Sequence, residues 1–180
     1  MTRVYRAEDR ANRRYTGRLP ALDGTQRQAQ AYVDRITRSA WWSRTCPPSW
    51  RGDDTTPNFE PADESRPPRR VIVRVHNRGS GAWASTYEKR RHRGRWFPII
   101  SLGAGLRGSL LPCSADPWVI LHELTHIIVA DTDPGHGVVF ARTYVAAVRR
   151  WLGADAARVL REELKAEGMP IRRPARAAKR

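Results

Sequence analysis

Three residues with metal-binding or acid–base chemistry fall at a fixed spacing in His122-Glu123-Leu124-Thr125-His126. On a helix, positions i and i+4 lie one above the other on a single face. The two imidazoles can therefore share one metal ion. Glu123, one step round, reaches a metal-bound water without ligating the metal. This is the HExxH arrangement of zinc hydrolases. The flanking residues predict the helix that the reading needs, over 117–130. Asp116 stands at an N-cap position with Pro117 at the first helical position. Val119, Ile120, Leu121, Leu124, Ile127, Ile128 and Val129 cover most of the circumference, which marks a buried helix. Two His and one Glu in a buried helix are costly unless something satisfies them; the alternative is a helix with ordinary polar residues.

A catalytic zinc takes three protein ligands and keeps an open position. His136 comes ten residues after His126, at the start of a second predicted helix over 137–152. Asp131, Thr132, Asp133, Pro134 and Gly135 are turn formers that would reverse the chain and return His136 to the metal. Asp133 is the alternative third ligand, with His136 then a helix N-terminal residue. A metzincin is excluded, because Val129 and Thr132 stand where Gly and His are required. Zinc on three neutral imidazoles lowers the pKa of its water toward about 7, and Glu123 would take the proton as general base. Tyr144 and Tyr87 are candidates for stabilising the oxyanion, although each also reads as core or sheet packing.

The elements that must position these residues read as α+β. Ala29, Tyr32, Val33, Ile36 and Ala40 form an amphipathic stripe that predicts a helix over 25–42, capped by Asp23 or Thr25. Residues 47–70 hold six prolines and read as a loop. Alternating Val71, Val73 and Val75 predict a strand, followed by strands over 83–89 and 95–102. Gly103, Gly105 and Gly108 match G-x-G-x-x-G, but Pro112 falls where a dinucleotide-binding helix would run. A last helix over 155–167 turns Leu160 and Leu164 inward and stops at Gly168, with Glu162 and Glu163 on its solvated face. The reading is a single domain over 25–168, between a basic segment 1–24 and a basic tail 169–180.

The chain has 180 residues and a net charge of +15, from 33 basic and 18 acidic side chains. Lys89, Lys165 and Lys179 are its only lysines. A field of this sign attracts polyanions, so DNA is a candidate partner. Lys89, Arg90, Arg91, Arg93, Arg95, Arg172 and Arg173 are the candidate nucleic-acid contacts. Neither a zinc ribbon nor an aromatic stacking platform accompanies them. No apolar run approaches the roughly 18 residues of a membrane span, and no apolar stretch follows Met1, so the expected location is cytoplasmic. Cys46 and Cys113 are expected as free thiols.

The HExxH motif followed by His136-Gly137-Val138-Val139-Phe140 resembles the HExxH…HGxxF pattern of SprT-like (Spartan-type) metalloproteases. A closer resemblance is to small HExxH metallohydrolases of actinobacteria and their phages. In those a Trp pair, a valine-rich strand, a TYE strand and a GA-rich C-terminal helix recur, here Trp41-Trp42, Val71–Val75, Thr86-Tyr87-Glu88 and 153–164. The resemblance implies a minimal zincin-like fold: an N-terminal helix, a small antiparallel or mixed sheet of three to four strands, the HExxH helix and two C-terminal helices. It implies one Zn2+ on His122, His126 and His136, Glu123 as general base, and a protein or peptide substrate. In zincin folds the substrate runs along the edge strand above the HExxH helix, and 95–102 is the expected strand, by β-addition of an extended peptide. The SprT-like pattern also allows a DNA-associated protease acting on DNA-bound protein. A non-catalytic, basic nucleic-acid-binding protein is the remaining alternative.

Overall fold

The computed structural model describes residues 2–20, 22, 25–46, 71–76, 86–92, 95–103, 116–130, 132–133 and 135–171, with the side chains of 86–97 left aside. The Pro-rich 47–70, the glycine-rich stretch after Gly103, Cys113, Arg93, and Arg172 and Arg173 of the tail lie outside the described residues.

The chain is α+β. Its elements are α1 (Arg3–Arg14), α2 (Gln26–Thr37), α3 (Ala40–Thr45), β1 (Ile72–His76), β2 (Thr86–His92), β3 (Arg95–Gly103), α4 (Pro117–Val129), α5 (Val138–Trp151) and α6 (Ala154–Ala166). Side-chain caps explain several boundaries. Thr25, rather than Asp23, accepts the backbone N–H of Gln28 and opens α2. Asp116 accepts the N–H of Trp118 at 2.7 Å and opens α4, with Pro117 behind it. The single helix expected over 25–42 is two. Ser39 is extended at ψ 152°. Its hydroxyl donates to the Ile36 carbonyl at 2.6 Å and accepts from Trp42 N–H at 3.2 Å. The serine competes with the helix for its own backbone groups and restarts it as α3. Gly153, at φ +106°, separates α5 from α6, a left-handed conformation that glycine takes without penalty.

Among the described residues the sheet has three strands in the order β1-β3-β2, with β3 parallel to β1 and antiparallel to β2. This corrects the expected substrate edge: 95–102 is the central strand, paired on both sides. Ile99, Ile100, Ser101 and Leu102 are all buried, the continuous pattern of a strand covered on both faces. The outer edge of β1 is occupied by α2. Gln30 donates its amide to the Val71 carbonyl and accepts the Val73 N–H, each at 2.8 Å, as a neighbouring strand would. β2 is the edge with one strand neighbour among the described residues. β2 also extends through His92, so Lys89, Arg90 and Arg91 belong to the strand rather than to the connection expected at 89–95.

α4 runs through the core, beneath β2 and β3 and against α5. The basic segment 1–24 was expected to lie outside the domain. Instead α1 packs on α6, with Val4, Ala7 and Ala11 fully buried in the common core. Glu162 and Glu163 are not simply a solvated face: they meet the arginines of α1.

Candidate metal centre

α4 delivers His122 and His126 from adjacent turns, and the connection to α5 returns His136. The N–H groups of Thr132 and Asp133 both turn back to the Val129 carbonyl, at 2.9 and 2.8 Å. This ends α4 and reverses the chain. Asp133, the alternative ligand, is committed elsewhere. Its carboxylate accepts the N–H groups of Gly137 and Phe140, both at 3.1 Å, and so caps α5, whose N-cap Gly137 has no side chain to do so. A Cβ at Gly137 would overlap both Asp133 carboxylate oxygens, which explains the glycine.

The three imidazoles converge. One ligand atom from each lies within 4.8 Å of the others. The Nε2 atoms of His122 and His136 are 3.0 Å apart. Two nitrogens bound about 2.0–2.1 Å from one tetrahedral zinc stand about 3.3–3.4 Å apart, so this pair fits one ion after a shift of a few tenths of an ångström. Phe140, itself fully buried, packs its ring 4.9, 4.5 and 4.8 Å from those of His122, His126 and His136. This apolar wall holds the rings, while His126 and His136 stay partly open to solvent.

The electrostatics of two of the three rings also suit a cation. Burial, followed by the neighbouring His122, pushes His126 down to about 3, and the same two causes push His136 down to about 4. Both therefore present neutral nitrogens at physiological pH, as metal ligands must. Burial alone would lower His122, but the charge and hydrogen bond of Glu8, joined by Glu123, raise it on balance. Glu123 is buried to 1% exposure. It helps raise the neighbouring Tyr5 phenol to about 12, after burial and ahead of Glu8. Thr125 is satisfied by the Leu121 carbonyl at 2.7 Å and is free of any ligand role.

Two participants escaped the sequence reading. Glu8 Oε2 lies 2.6 Å from His122 Nδ1. Tyr5 stacks on the His122 ring at 4.7 Å and 14°, and its centroid is 4.9 Å from that of His136. The available signal was Val4, Ala7, Glu8 and Ala11 at helical spacing, an apolar stripe with one acid in it.

Of the oxyanion candidates, Tyr144 packs against the centre, its ring centroid 5.5 Å from that of His122. It is fully buried, donates its hydroxyl to the Trp118 carbonyl at 3.1 Å and also meets Glu8, so it is a core residue behind His122. Tyr87 lies in β2, paired with Ile100, and its side chain is outside the described set. The same holds for the side chains of Lys89, Arg90, Arg91 and Arg95. No helix among the described residues is long and apolar enough to cross a membrane. No family profile, no curated protein and no solved structure matches the chain.

Proposed function

We propose that this protein is a zinc-dependent hydrolase, in the first instance a peptidase with a minimal zincin-like fold. The observation that carries the reading is the convergence of His122, His126 and His136, with Glu123 one residue along the same buried helix. The three imidazoles would hold the zinc, which when bound supplies a Lewis acid and a water acidic enough to attack a carbonyl at neutral pH. Glu123 would be the general base, taking a proton on its carboxylate and returning it to the leaving amine. Glu8 holds His122 by its Nδ1, so that Nε2 faces the shared centre. Phe140 keeps bulk water from the inner side of the three rings. An extended substrate would add to β2, the strand whose outer side has no partner among the described residues. The resemblance to SprT-like proteases agrees with this site and adds a peptide substrate.

Elemental analysis of the purified protein beside His136→Ala tests the centre. The expected result is about one zinc per chain in the wild type and sharply less in the variant. Glu123→Gln should keep the zinc and lose hydrolysis of a peptide library. A wild-type protein that takes up no zinc when it is offered would end the enzyme reading.

The net charge of +15 favours a second reading, in which the peptidase works on protein bound to DNA. Duplex affinity that falls steeply with salt would support it; affinity indifferent to salt would remove it.

A further inference from the structure

α1 brings one carboxylate into the core. Asp9 stays outside and pairs with Arg13 at 2.6 Å, whereas Glu8 is 7% exposed. A buried carboxylate needs a strong partner, and Glu8 has His122 Nδ1 at 2.6 Å, the short distance of a charge-assisted bond. That bond places the ring hydrogen on Nδ1 and leaves the Nε2 lone pair for the centre. A carboxylate behind a ligating histidine fixes its tautomer and raises its basicity. Tyr5, one turn earlier, lies flat on the same ring. Two residues of α1 therefore hold His122, one by its edge and one by its face.

The rest of α1 fixes where those residues sit. Arg6, Arg10 and Arg14, spaced i, i+4, i+8, run against Glu162, Glu163 and Glu167 of α6. Arg6 meets Glu167 at 2.7 Å, Arg10 meets Glu163 at 2.8 Å, and Arg14 meets Glu162 at 2.8 Å and Glu163 at 3.1 Å. Asn12 donates to Asp116 at 2.9 Å, and Asp116 caps the helix that carries His122. The arginines are roughly half exposed at 44–52%, so each pair alone is weak. As a ladder they align α1 with α6, while Asn12 ties it to the start of α4.

We propose that α1 is a docked positioning element of the metal centre: Glu8 sets the ring and tautomer of His122, and metal affinity rises and falls with the docking of α1 onto α6. This rests on the three-histidine centre proposed above and assigns its control to the N-terminal helix. The coupling is reciprocal, as any linkage between two binding events must be. Metal holds α1 down, and a docked α1 holds metal.

The test uses the full chain and zinc alone, with affinity measured by competition against a chromophoric chelator. Glu8→Ala should weaken zinc by about 10–100-fold. Glu8→Gln keeps the shape and an oxygen that accepts Nδ1–H but lacks the charge, so it should fall between Glu8→Ala and the wild type. It also keeps the test open if Glu8→Ala does not fold. Glu163→Gln combined with Glu167→Gln touches no ligand and should still weaken zinc by about three- to tenfold, through loss of the ladder. The absorption bands of the cobalt-substituted protein should shift in both Glu8 variants and stay in place in the α6 double variant. Zinc should slow tryptic cleavage after Arg6, Arg10, Arg13 or Arg14 in the wild type, and less so in the double variant.

Wild-type affinity and an unshifted cobalt spectrum in both Glu8 variants would overturn the positioning role. Wild-type zinc affinity in the α6 double variant, with cleavage of α1 indifferent to zinc, would overturn the coupling. In either case a wild type that binds zinc leaves the centre standing. A wild type that binds none takes down the centre and this inference together.

Discussion

Asp133 and Gly137 form one device, and substitution can show it. Asp133 satisfies two of the four N–H groups that open α5, and it is held where His136 leaves the turn. Asp133→Ala removes both bonds. Loss of an acidic cap costs about 0.5–2 kcal/mol. Gly137→Ala should produce the same loss by another route, because its Cβ would drive the carboxylate off both N–H groups. Each single variant should therefore lose about 1–2 kcal/mol, or roughly 2–8 °C of Tm for a chain of this size. The double variant distinguishes this account from two independent defects. Once Asp133 is gone, the methyl introduced at position 137 meets no carboxylate, and the double should cost no more than Asp133→Ala, to within about 0.5 kcal/mol. Urea unfolding of the four proteins measures the cycle, and chelator competition reports whether His136 has moved. Additive losses, or a Gly137→Ala variant as stable as the wild type, would refute the shared-cap reasoning.

Three further outcomes are expected. Tyr144→Phe should lose about 0.5–1.5 kcal/mol of stability and leave hydrolysis per zinc-loaded chain unchanged, since its buried hydroxyl serves Trp118 and Glu8; a selective loss of turnover would make it an oxyanion group after all. Gln30→Leu leaves the Val71 carbonyl and Val73 N–H without their partner and should cost about 1–3 kcal/mol in urea unfolding. Hydrogen bonds from Arg10 and Arg14 hold Glu163 below the usual carboxylate range, and those from Arg6 and Arg10 do the same for Glu167. Because the folded values lie below the unfolded ones, this contribution is complete above the ordinary glutamate value of about 4.3 and is lost as pH falls through the folded values. Hydrogen-exchange protection of 3–14, corrected for intrinsic rates, should fall in that window, and Glu163→Gln with Glu167→Gln should flatten the response.

α4 was legible because every local signal agreed: a capping Asp116, a Pro117 that can only start a helix, and apolar residues all round. His136 was legible because the turn formers between it and His126 leave the chain little choice but to reverse. The order of the strands was not. β3 lies between β1 and β2, so β1 pairs in parallel with the strand after next rather than with its neighbour in sequence, and strand spacing carries no trace of that. A hint existed in composition. Pro98-Ile99-Ile100-Ser101-Leu102 is too continuously apolar for an edge, whereas Thr86–His92 carries charge after charge, as exposed edges do.

Glu8 shows the deeper limit. Its partner His122 is 114 residues away, and α1 buries little besides alanine and one valine, so its apolar stripe is faint beside its arginines. The acids of α6 have the same ambiguity. Viewed alone, Glu163 and Glu167 are an i, i+4 row that belongs in water. They become a docking surface only when Arg6, Arg10 and Arg14 present the complementary row from a second helix. Both rows stand in the sequence, but helical periodicity says which residues share a face, not which faces meet. The inward carboxylate on α1 is the better clue. A Glu within an alanine stripe is unstable in a core unless a cation or an imidazole waits for it, and His122 of the HExxH helix is the buried imidazole among the described residues that answers it.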